Sequence, residues 1–115
     1  MTVLADTNVL VYRNDDSEAS KQRIARRTLD ALEHRGLLAV TPQIMGEYCV
    51  TLRRKWPQRL DRHTLPAEVE RLVAACDVLP LDERVSIAAV HASARYDLHY
   101  WDAQLWATAK VHGVP

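Results

Sequence analysis

Three carboxylates in this chain of 115 residues stand where chemistry could be done: Asp6, Glu47 and Asp102. Asp6 directly follows the apolar run Val3-Leu4-Ala5. It therefore lies beyond the end of a strand, where open parallel sheets gather their functional groups. The same position suits a cap for the short helix after it. Asn8, two residues on, could orient the Asp6 carboxylate or cap the turn. Glu47 falls between the inward positions Ile44 and Tyr48 of a helical stripe, at the border of the buried face, where an exposed glutamate is also commonplace. Gly46 beside it lowers helix propensity by about 1 kcal/mol relative to Ala and permits close approach of another backbone. Asp102 opens a helix, a favoured place for aspartate through capping and the macrodipole. Yet both of its flanks are apolar, with Tyr100-Trp101 before it and Ala103, Trp106 and Ala107 after it. Three such carboxylates on one rim would repel each other without a counter-ion. A hard divalent cation, Mg²⁺ or Mn²⁺, resolves that through carboxylate and water oxygens.

The elements that must position these groups are short apolar runs alternating with amphipathic stretches. Val3–Ala5, Leu37–Val40 and Val78–Leu79 read as buried strands. Between them, Ile24, Ala25, Thr28, Leu29 and Leu32 mark one helix, stopped by Gly36. Thr41-Pro42 opens another, carrying Ile44, Met45, Tyr48, Cys49 and Leu52 inward and ending at Pro57. A helix from Thr64 presents Val69, Leu72, Val73 and Cys76. Asp82 caps one with Val85, Ala88, Ala89 and Ala92, ending near Tyr96. A last helix runs from Asp102 to about His112, with Gly113 as its stop. Strands alternating with helices predict an α/β fold with a parallel sheet, as one domain over residues 1–115.

The remaining groups bound the function. Net charge is zero, with 15 basic and 15 acidic side chains. The first 63 residues hold 11 basic against 8 acidic groups, and the rest hold 4 against 7. Arg53-Arg54-Lys55, with Arg59 and Arg62, form a basic cluster that is either a solvated helix end or a phosphate contact. Cys49 and Cys76 show no metal or CxxC spacing and read as reduced core thiols. No apolar run reaches the roughly 20 residues of a membrane helix, and no secretory leader opens the chain, so a cytoplasmic protein is expected. His34, His63 and His112 are isolated, and His91 is flanked by alanines in a packed helix. His99 lies near Asp102 and is either an exposed loop histidine or a phosphate contact. Trp56, Trp101 and Trp106 read as core or interface anchors rather than base-stacking platforms. There is no P-loop, GxGxxG or GxSxG motif.

Three segments resemble the motifs of PIN domains. Leu4-Ala5-Asp6-Thr7-Asn8-Val9-Leu10-Val11-Tyr12 is similar to their opening strand and first acid, with an Asn two positions later. Val40-Thr41-Pro42-Gln43-Ile44-Met45-Gly46-Glu47-Tyr48 resembles the second motif, and Tyr96-Asp97-Leu98-His99-Tyr100-Trp101-Asp102-Ala103 the third. Their order and spacing resemble the VapC-like toxins of toxin–antitoxin pairs along essentially the whole chain. The resemblance implies that Asp6, Glu47 and Asp102 bind Mg²⁺ or Mn²⁺, with Asn8 supporting Asp6. It also implies RNA phosphodiester hydrolysis leaving a 3′-hydroxyl and a 5′-phosphate, a homodimer, and an antitoxin that blocks the site.

Family members continue into a further strand and a fourth acid, whereas this sequence stops at Gly113-Val114-Pro115. The PIN-like sheet is thus expected to lack its C-terminal strands and to bare an edge beside the first strand. Weak metal binding and poor RNA cleavage are expected with it. An inactive module for dimerisation or antitoxin binding is the main alternative. A phosphotransfer domain using Asp6 is another, though the sequence offers Asp6-Thr7-Asn8 in place of Asp-x-Asp. A DNA nuclease stays open, because nothing in the sequence reads a 2′-hydroxyl.

Overall fold

Two helical crossovers bring three short strands into parallel register. The protein is described by a computed structural model over residues 2–114. The elements run β1 (Val3–Leu4), α1 (Thr7–Tyr12), α2 (Ala19–His34), β2 (Leu38–Val40), α3 (Pro42–Lys55), α4 (Thr64–Ala75), β3 (Asp77–Val78), α5 (Glu83–Tyr96) and α6 (Tyr100–Val111). A 3₁₀ turn, Pro57–Arg59, links α3 to α4. The sheet order is β1-β2-β3. Val3 faces Leu38 and Leu4 faces Ala39, while Ala39 faces Asp77 and Val40 faces Val78. The fold is the expected α/β arrangement of a parallel sheet flanked by helices.

Local chemistry explains the boundaries. The Thr41 hydroxyl accepts the Ile44 N–H at 3.1 Å, with Pro42 at the first helical position of α3. The Asp82 carboxylate accepts from the N–H groups of Arg84 and Val85 and starts α5. Gly36 and Gly113 take positive φ just beyond α2 and α6, the conformation a helix stop requires. The strands are shorter than expected, but pairing extends past their ends. Ala5 N–H donates to Ala39 O at 3.0 Å, and Leu79 N–H donates to Val40 O at 2.8 Å.

The main core gathers Leu10, Leu29, Leu38, Val40, Tyr48 and Leu72 around the sheet. A second cluster, Val85, Ala89, Ala92, Ala103 and Ala107, joins α5 to α6 through small side chains that let the two helices approach closely. Several expectations shift here. Ile24 is 66% exposed and Thr28 is exposed, because the α2 stripe is Ala25, Leu29 and Leu32. One step off that row turns a side chain about 100° towards solvent. Val73 is 51% exposed for the same reason, beside the buried Leu72. Trp101 and Trp106, expected as anchors, are 49% and 43% exposed. His91 is exposed on α5, and β3 is an exposed edge strand. Helix α6 begins at Tyr100, which places Asp102 inside its first turn. Cys49 and Cys76 are free thiols, and burial raises the pKa of both, that of Cys76 to about 11.

Beside this core lies a charge network that the sequence pattern did not announce. The Arg13 side chain is only 9% exposed, and its Nη1 donates to Glu33 at 2.7 Å and to Asp30 at 3.3 Å. Arg71 reaches Glu33 and Glu68, each at 2.9 Å, and the Tyr48 hydroxyl donates to Glu68 at 3.2 Å. The network therefore ties the end of α1 to α2, α3 and α4. Burial alone would push the Glu33 carboxyl up. The hydrogen bonds from Arg13 and Arg71 outweigh it and leave the pKa lowered. A lowered folded pKa means that this stabilisation is whole above the unfolded value, near 4.3. It is lost as pH falls through the folded pKa. Urea unfolding at pH 7 should show Glu33→Gln about 2 kcal/mol less stable than the parent, since a partly buried pair is broken. The gap should close as the pH is taken below about 4. A gap that persists there would mean the network does not stabilise through charge.

Candidate active site

Each of the three acids reaches the same cleft by a different local route. Pairing of β1 with β2 ends at Ala5, so Asp6 turns onto the rim and takes the N-cap position of α1. Its carboxylate makes no capping hydrogen bond there. Glu47 stands one turn into α3, half-buried at the border of the stripe formed by Ile44 and Tyr48. Asp102 lies in the first turn of α6 and is exposed. All three line one narrow cleft of about 70 Å³, together with Thr7, Trp101 and Thr108. No Lys, Arg or His is among the residues lining it.

Glu47 is held in place from two sides. Thr7 Oγ1 donates to Glu47 Oε2 at 2.9 Å, and Gln43 Nε2 donates to Oε1 at 3.1 Å. These two positioning residues escaped sequence reasoning. The available signal was that Thr7 follows Asp6 and that Gln43 lies one helical turn before Glu47. Asn8 is exposed, and among the described residues it makes no hydrogen bond to Asp6.

Charge pairing separates Glu47 from the other shielded acids. Asp15, Glu33, Glu68 and Asp82 are buried or half-buried, and each lies within salt-bridge distance of a Lys or Arg. Glu47 is likewise half-buried, and among the described residues it has no basic partner. Two further acidic residues, Asp6 and Asp102, line the cleft with it. Among the described residues, no group of three or more His, Cys, Asp or Glu side chains stands close enough to hold a metal ion unaided. The donor chemistry nevertheless fits a hard cation. Mg²⁺ keeps several waters and takes one or two carboxylates directly, so three oxygens spread around a small cleft suit it.

The basic cluster does not join this cleft. Arg53, Arg54 and Lys55 are exposed in the last turn of α3, with Lys55 3.8 Å from Asp15. His99 precedes α6 without lining the cleft. A larger groove of about 480 Å³, lined by Tyr48, Leu52, Trp56, Leu65 and Glu68, contains none of the three acids.

The chain matches the PIN-domain family over residues 3–115. It belongs to that family. PIN domains are generally nucleases that use divalent metal ions. A solved structure similar in fold is described as a toxin–antitoxin complex from Klebsiella pneumoniae. Its TM-score is 0.70 at 19% sequence identity, covering 98% of this chain and 82% of that one. No curated protein matches. Among the described residues of this PIN domain, no helix is long and apolar enough to cross a membrane.

If Asp6 sits on the rim without capping, its removal should cost the fold little. By urea unfolding, Asp6→Ala should lower stability by less than about 0.5 kcal/mol. Thr41→Ala and Asp82→Ala, which remove bonded caps, should each cost about 1 kcal/mol. A loss at Asp6 equal to those two would identify it as a structural cap.

Proposed function

We propose that this PIN domain is a metal-dependent endoribonuclease of the toxin type, hydrolysing RNA phosphodiester bonds. The observation that carries the reading is the unpaired, fixed Glu47 carboxylate facing Asp6 and Asp102 in a cleft lined by no basic side chain. In this reading Asp6, Glu47 and Asp102 hold Mg²⁺ or Mn²⁺. When bound, the ion lowers the pKa of a water and steadies the charge that develops in an in-line displacement. The residues of the chain do the positioning. Thr7 and Gln43 restrict rotation of Glu47 by donating to its two carboxylate oxygens. Asp6 and Asp102, free of hydrogen-bond donors among the described residues, keep their oxygens available for the ion or its waters. A cytoplasmic homodimer, inhibited by a cognate antitoxin, completes the proposal. The likeness to a structure described as a toxin–antitoxin complex supports the antitoxin.

Calorimetric titration of Mn²⁺ and Mg²⁺ into the pure protein tests this directly. Saturable binding is expected, weakened at least about tenfold by Asp6→Asn. Thr7→Val should weaken it about 10- to 100-fold by releasing the Glu47 carboxylate. Cleavage of a labelled single-stranded RNA should be lost in Asp6→Asn. An absence of metal binding would favour the other reading, a PIN fold kept as a dimerisation or antitoxin-binding module.

A further inference from the structure

Trp101 is the member of the cleft that neither the fold nor the acids account for. It precedes Asp102 in the first turn of α6, lines the cleft with the three carboxylates, and remains 49% exposed. Such an indole leaves apolar surface in water beside charged groups, which works against stability. The neighbouring Tyr100 ring packs against it at 5.1 Å between centroids and 67° between planes. The other two tryptophans differ. Lys55 and Arg59 lie over Trp56, and Lys110 lies over Trp106. Among the described residues no cation covers Trp101, and neither of the other two lines the acidic cleft.

A second oddity lies on the far side of the acids. A shallow groove of about 520 Å³ shares Asp6, Thr7 and Glu47 with the cleft and continues over Gly46, Val50 and Thr51. Gly46 sits inside α3, where it costs about 1 kcal/mol relative to Ala. Nothing in the chain requires it, since a Cβ built there meets no atom within 4 Å. Gly46, Val50 and Arg54 form one i, i+4 row along the helix. Arg54, exposed at the end of that row, makes no ion pair among the described residues.

We propose that a single-stranded nucleic acid crosses this cleft, with one unpaired base stacked on Trp101. On the other side its sugar–phosphate backbone runs over Gly46 towards Arg54. The inference rests on the nuclease reading and deepens it by naming the side chain that holds a base and the path the strand takes. Stacking on an aromatic side chain requires a base free of its complementary strand and tolerates any base identity. Duplex bases, stacked on both sides, present no open face to a side chain. Gly46 lets a backbone pass close to α3 at the point where the strand leaves the acids.

Fluorescence anisotropy with a labelled ten-nucleotide RNA tests the path. The titrations are run in Ca²⁺, with strand integrity checked on a gel. Trp101→Ala should weaken binding about tenfold, equivalent to about 1.4 kcal/mol, and Trp101→Phe should recover most of it. An abasic site scanned along the strand should cost the parent protein about tenfold at one position and cost Trp101→Ala nothing there. Gly46→Ala should raise the thermal midpoint while weakening RNA binding. Undiminished binding by Trp101→Ala, or an equal loss with duplex RNA of the same length, would overturn the stacking proposal alone. Failure of the parent protein to bind any RNA would overturn it together with the nuclease reading.

Discussion

The parallel pairing of β1 with β2 sets where Asp6, Thr7 and Glu47 meet in the cleft. Two registered pairs, Val3 with Leu38 and Leu4 with Ala39, are continued by the bond from Ala5 N–H to Ala39 O. That register ends both strands at the same height, so Asp6 and Thr41 emerge side by side and α1 and α3 start from one rim. Thr7 can then reach Glu47 across 40 residues of sequence. A slip of one residue would turn Leu38 and Val40 out of the core and carry Asp6 away from Glu47. The bulk of Leu10, Leu38, Val40 and Tyr48, all fully buried, makes such a slip costly.

Charge is distributed around this frame in two opposite ways. Where α1 to α4 meet, acids and bases alternate: Arg13 and Arg71 share Glu33, and Arg71 also holds Glu68. Pairing there offsets the cost of removing charge from water. At the strand ends the same chain sets three carboxylates around a cleft lined by no base. A fold able to neutralise four shielded acids elsewhere leaves this set uncompensated.

Much of this was legible in the sequence. The apolar runs and the caps Thr41 and Asp82 foretold the order of elements, because each depends on neighbours a few residues apart. Asp6, Glu47 and Asp102 were singled out through the resemblance of their segments to PIN motifs, since each taken alone had an ordinary structural reading, and all three line one cleft. What depends on rotation about a helix axis was less legible. Ile24 and Val73 are apolar yet face outwards, since an apolar residue one step off a stripe looks the same in sequence as one on it. Interactions between distant elements were hidden altogether. Thr7 with Glu47, and Arg13 with Glu33, join positions that no periodicity relates.

Trp101 shows the limit most clearly. Its type and flanks suggested a core or interface anchor, and the neighbouring Ala103 and Ala107 are indeed fully buried. Helix α6, however, packs on α5 through those alanines. Small side chains bring two helices together along a narrow seam and leave no space between them for an indole. The two tryptophans of the same helix are turned outwards: Trp106 to one side, where Lys110 and Tyr96 pack on it, and Trp101 into the lining of the acidic cleft. The alanine seam that closes the second core thus also sets an aromatic surface beside the carboxylates. The packing of the seam and the exposure of Trp101 here follow from a single choice of residue size.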